Sequence, residues 1–112
     1  MQRTIEFRVQ GSAEEPYTVT FTKKNESLTA FCTCEAGVHE IHCKHRIRIL
    51  EGKSVDVVSG DLNEIDTIQS WLEGTELEKA LENVKKAEKH VADAKRLVSN
   101  SKRILANIMH NS

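Results

Sequence analysis

Every cysteine of the chain, and three of its 5 histidines, fall between Phe31 and His45. Within that stretch Cys32-Thr33-Cys34 is a Cys-x-Cys pair and Cys43-Lys44-His45 a Cys-x-His pair. Together Cys32, Cys34, Cys43 and His45 offer three thiolates and an imidazole, the number and kind of donors that close a structural zinc site. Metal binding, with one structural zinc per chain, is the chemistry this spacing predicts. A disulfide framework fits less well, because one cysteine would be left over and the N-terminus carries no signal-peptide pattern.

The elements around the two pairs must bring them to one ion. Leu28-Thr29-Ala30-Phe31 reads as a strand leading into Cys32, and residues two apart in an extended chain project to the same side, so both thiolates of the first pair converge. In a helix, residues two apart diverge. Cys43 is therefore expected at a helix entrance and His45 in the first turn of a helix running to Leu50, with Gly52 as its stop. Amide groups free at that entrance favour a nearby thiolate. His39 and His42 compete for the fourth position; His42 would strain to share a metal with its neighbour Cys43, whereas His39 lies within reach in the spacer, which reads as a short loop. His45 is the preferred ligand.

This arrangement resembles the SWIM zinc finger, whose pattern is Cys-x-Cys, a variable spacer and Cys-x-His before an apolar helix. The resemblance covers roughly residues 17 to 52 and implies a ββα finger with Cys32, Cys34, Cys43 and His45 as the zinc ligands. SWIM modules occur in Mutator-type transposases, Swi/Snf-type ATPases, some kinases and recombination-associated proteins, where they are taken to bind DNA or other proteins. The resemblance thus implies a binding role. Arg46 and Arg48 depart from the small and apolar residues usual just after the histidine, which makes this helix more basic.

The rest of the chain sets the scale. With 112 residues, 38% hydrophobic content and 4% aromatics, the core must be thin, and small cores often need a staple. No apolar run is long enough to span a membrane, and a net charge of −1 gives no general attraction to nucleic acid. The expected location is cytoplasmic, or nuclear or nucleoid-associated, and not secreted. Ile5, Phe7 and Val9 alternate with polar residues, as do Tyr17, Val19 and Phe21 with threonines; both runs read as half-buried strands. The expected fold is α+β: a three-stranded antiparallel sheet bearing the finger, over residues 1–58. Ser54 to Val58 reads equally as a strand or a connector.

Residues 59–112 read as a helical extension. Asp61 with Glu64 forms a capping box before the stripe Leu62, Ile65, Ile68 and Leu72, and Thr75 with Glu78 forms a second one directly after Gly74. The result is a helical corner or hairpin leading into a long C-terminal helix. There Ala80, Val84, Ala87, Val91, Ala94, Val98, Ser101, Leu105 and Ile108 alternate steps of four and three, a coiled-coil-like seam that predicts a homodimer.

Enzymatic chemistry has little support: the chain has no phosphate-binding glycine loop, no nucleophile elbow and no metal site with a vacant position. Lys44, Arg46 and Arg48, with Lys23 and Lys24 at the hairpin turn, are candidate contacts to DNA, RNA or a partner. Glu35, Glu40 and Glu51 lie among them, so nucleic-acid binding is expected to be weak and salt-dependent. A zinc-binding adaptor that docks a partner protein in a nucleic-acid-associated complex is the preferred reading, with a direct DNA- or RNA-binding finger as the alternative.

Overall fold

The computed structural model describes residues 2–39 and 43–111. β1 (Gln2–Val9) pairs antiparallel with β2 (Tyr17–Lys24), from Gln2↔Lys24 to Val9↔Tyr17. The alternation therefore places Ile5, Phe7, Val9, Val19 and Phe21 on one face, and all five are buried. The chain turns back through Asn25, whose φ of 55° is one asparagine tolerates. β3 (Ser27–Cys32) then pairs with β2, from Lys24↔Ser27 to Val19↔Cys32.

The sheet has four strands in the order β3-β2-β1-β4, one more than the three expected. After α1 (Glu35–Val38) and α2 (Lys44–Leu50), β4 (Val57–Ser59) lies antiparallel to β1 through Arg8↔Ser59 and Val9↔Val57. Gln10 N donates to Asp56 O at 2.8 Å. The far edge of β1 would otherwise leave backbone groups unpaired, which is why the end of the ambiguous patch at 54–58 enters a strand, whereas residues 54–56 form the connector that turns into it. Gly52, at φ 84°, closes α2 in the left-handed conformation glycine adopts freely, and its N–H donates to Ile49 O at 2.9 Å.

The buried face of the sheet is covered by α2 and by α3 (Glu64–Leu72), which pack against each other. Ile49 and Leu50 come from α2; Ile65, Ile68 and Leu72 come from α3 at helical spacing. Each such side chain contributes about 1.5–3 kcal/mol of burial. α3 begins later than its first capping box suggests. Asn63 is the N-cap, Asp61 Oδ1 instead accepts from Asn63 N at 3.0 Å, and Leu62 is exposed. The second box holds: Thr75 Oγ1 accepts from Glu78 N at 3.2 Å, and Glu78 Oε1 accepts from Gly74 N at 3.0 Å.

α4 (Glu76–Asn111) runs for 36 residues, about 54 Å at 1.5 Å per residue. No residue of it is buried. Asp93 braces its surface, with Lys89 Nζ at 3.3 Å and Arg96 Nη1 at 3.4 Å. The chain divides into two compact units, Met1–Glu78 and Lys79–Ser112, so α3 belongs with the sheet. Among the described residues no helix is long and apolar enough to cross a membrane.

Candidate metal centre

Cys32 ends β3, and its backbone partner Val19 lies on β2. Past it, Thr33 keeps the chain on the sheet: its N–H donates to Thr18 O at 3.0 Å, and its Oγ1 accepts from Thr18 N at 2.9 Å. Cys34 is extended (φ −65°, ψ 164°), so the two-residue convergence holds although the ladder has already ended. The spacer read as a loop opens instead with the single turn α1, for which Cys34 is the N-cap; its Sγ accepts from Gly37 N at 3.3 Å. On the other side Cys43 is the N-cap of α2 and His45 sits in its first turn, as their spacing requires.

The four donor atoms of Cys32, Cys34, Cys43 and His45 lie within 4.8 Å of one another, and all four residues are buried. They are positioned to hold a metal ion. His45 turns its Nδ1 to the sulfurs, 3.8 Å from Cys32 Sγ and 3.9 Å from Cys43 Sγ. Its Nε2 is buried with no hydrogen-bond partner among the described residues. A polar ring sunk this deep is costly unless some group engages it. His39 is exposed at the C-terminus of α1, outside the cluster, and His42 lies outside the described residues.

The environment sets the donors apart electrostatically. Burial pushes the Cys32 thiol up to about 12, against the N–H of Cys34, which donates to its sulfur at 3.5 Å. Burial also acts to raise Cys43, but Arg46 outweighs it, donating from its backbone and side chain and holding this thiol below its ordinary value. Burial, followed by the charge of Lys44, lowers His45 and favours the neutral imidazole, the form that ligates metals.

Three of the five basic residues singled out as contacts are engaged within the fold. Arg46 Nη1 donates to Ala30 O at 3.2 Å, in addition to its bonds to Cys43. Arg48 pairs with Asp56, and Lys23 Nζ donates to Trp71 O at 3.1 Å. Lys24 and Lys44 are exposed.

Several residues serve this centre that sequence reasoning passed over. Gly37 is one: a Cβ there would lie 2.1 Å from Cys32 O and 2.9 Å from Cys32 Cβ, so only glycine lets α1 close against the end of β3. A lone glycine inside the ligand spacer was the available signal. Tyr17 lies beside the His45 ring, centroids 5.3 Å apart and planes at 48°, and Thr33 fixes the first pair. Nothing in the local sequence marks either of them. Comparison with protein-family models, curated proteins and solved structures finds no match to this chain.

Proposed function

We propose that Met1–Glu78 is a zinc-stapled module of the SWIM kind, and that the chain is a non-catalytic adaptor docking a partner protein in a nucleic-acid-associated complex. The observation that carries the zinc reading is the set of four buried donors within 4.8 Å. Tetrahedral zinc, with Zn–S about 2.3 Å and Zn–N about 2.1 Å, holds sulfur and nitrogen about 3.6 Å apart. The observed 3.8 and 3.9 Å exceed that by only about 0.2 to 0.3 Å. Three thiolates and an imidazole suit zinc and not the hard cations, which prefer oxygen. When bound, zinc supplies folding free energy. Nδ1 of His45 and the N–H groups aimed at the Cys32 and Cys34 sulfurs are then parts of one site, with Nε2 left as the protonated nitrogen of the ring. Four protein donors leave no position for water or substrate, which supports a structural role.

The order of strand, Cys-x-Cys, Cys-x-His and helix supports the SWIM assignment. The engagement of Lys23, Arg46 and Arg48 within the fold supports the adaptor over direct nucleic-acid binding, since side chains committed to Trp71, Ala30 and Asp56 are not free to neutralise phosphates.

Elemental analysis of purified protein should find one zinc per chain, lost in Cys34→Ser and in His45→Ala. Protein purified without metal that keeps its strands in chelator would sink the zinc reading. The adaptor reading is tested by capture from a nuclease-treated lysate of the native cell, with intact protein and Cys34→Ser as paired baits. A reproducible protein partner lost with the zinc supports it. Nanomolar DNA or RNA binding at physiological salt, abolished by Lys24→Ala with Lys44→Ala, would overturn it.

A further inference from the structure

The exposed seam of α4 has two unlike halves. The positions repeating every seven residues from Val84 to Leu105 are valine or leucine; those repeating from Ala80 to Ser101 are alanine or serine. Val91, Val98 and Leu105 are each more than half exposed. A shallow apolar groove passes over Ala87 between Val84 and Val91, bordered by Glu88 and Lys95. Charge is divided along the same helix: beyond Asp93 no acidic residue occurs, while Lys95, Arg96, Lys102 and Arg103 all do.

We propose that α4 pairs antiparallel with α4 of a second copy, about a two-fold axis passing between Ala92 and Asp93. In an antiparallel pair each large-series position faces a small-series position of the other chain, and the two-fold makes every such contact occur twice. About this axis Leu105 meets Ala80, Val98 meets Ala87 and Val91 meets Ala94. Val84 meets Ser101. Every one of these layers joins a large side chain to a small one, and the groove over Ala87 receives Val98. The basic segment after Asp93 runs along a segment of mixed charge, in which Glu82, Glu88 and Asp93 alternate with Lys79, Lys85, Lys86 and Lys89.

Flanking charges favour this register over one of its two neighbours. About this axis Glu88 of each chain lies opposite Lys95 of the other. Sliding by one heptad in one direction sets Glu88 against Glu88, which is repulsive; sliding in the other sets Lys95 against Lys95, although Glu88 then meets Lys102. A parallel pair is disfavoured on the same grounds. It stacks alanine on alanine in every second layer, leaving voids, gathers the basic segments of both chains together, and brings Glu88 opposite Asn83 and Lys95 opposite His90.

The test uses the full zinc-loaded chain. Light scattering and sedimentation should give a dimer. Glu88→Lys alone, or Lys95→Glu alone, should each weaken the dimer about tenfold, because two attractive contacts become repulsive; the double exchange should restore it to within about threefold. Val98→Asp should give monomer with its helical circular dichroism otherwise retained. A chain still monomeric at about millimolar concentration overturns the proposal, and co-sedimentation of that monomer with phosphatidylserine vesicles would assign the apolar face to an anionic lipid surface instead. A dimer in which the charge exchange gives no rescue overturns the antiparallel register.

Discussion

In the first unit Phe7, Val19, Phe21 and Ile49 are almost wholly buried by strands and helices far apart in sequence, whereas α4 buries no residue at all. The first region is ordered by contacts that exist only when its parts are assembled, and the cysteines and histidine that tie β3 to α2 are among them. The second is ordered along its own axis, by hydrogen bonds four residues apart and by braces such as Lys89 and Arg96 on Asp93. Assembly fails all at once; a helix frays by degrees. The two regions should therefore respond to different insults.

The sharpest separation comes from metal removal. Structural zinc contributes about 10 kcal/mol or more in small domains, comparable to the whole stability of a domain of this size. A strong chelator should abolish the dispersed strand resonances of residues 1–58, while much of the helical circular dichroism from α4 survives. Equal loss of both signals would break the comparison. A smaller effect is expected from Gly37→Ala, whose new methyl meets the Cys32 carbonyl; overpacking of this kind costs about 1–3 kcal/mol. Thermal unfolding of the zinc-loaded protein should show it, together with weaker zinc retention against a competing chelator. Unchanged stability would mean that α1 does not hold the first ligand pair in place.

Arg48→Ala removes a part-exposed ion pair with Asp56, worth about 0–1 kcal/mol in such settings. Its midpoint in urea should move slightly and its zinc content not at all. Smallest of all, Val98→Asp should leave zinc content and the unfolding midpoint of the first unit unaltered, as surface changes away from a core generally do. A coupled loss of zinc would show that the two regions are not independent.

Local pattern explains what the sequence made legible. The alternation of Ile5, Phe7 and Val9, the placement of Cys43 at a helix start, Gly52 at its end and the Thr75–Glu78 box are all readable within a few residues, and the structure bears them out. What stayed hidden depends on distant partners. β4 exists because β1 has an edge to fill, which the local string at 54–58 does not record. Arg46 looks basic and free in sequence, yet Ala30, on β3, claims it. Leu62 belongs to the apolar period but precedes the true N-cap, Asn63, and so faces water.

The register of β3 has one more consequence. Thr18 and Thr33 form a hydrogen-bonded pair, so alternation turns the backbone groups of Ala30 and Cys32 away from β2, toward the open side of the sheet. An outward row of this kind is a template for another chain's strand. Here it is closed by the elements that carry the second part of the ligand set and the spacer: Arg46 of α2 takes the Ala30 carbonyl, and Gly37 of α1 seats against that of Cys32. Phe31, between them, is already exposed on the outer face. If an ion holds the four donors together, its loss is expected to uncover an adhesive edge next to that ring, so that a metal here would guard against aggregation as well as against unfolding.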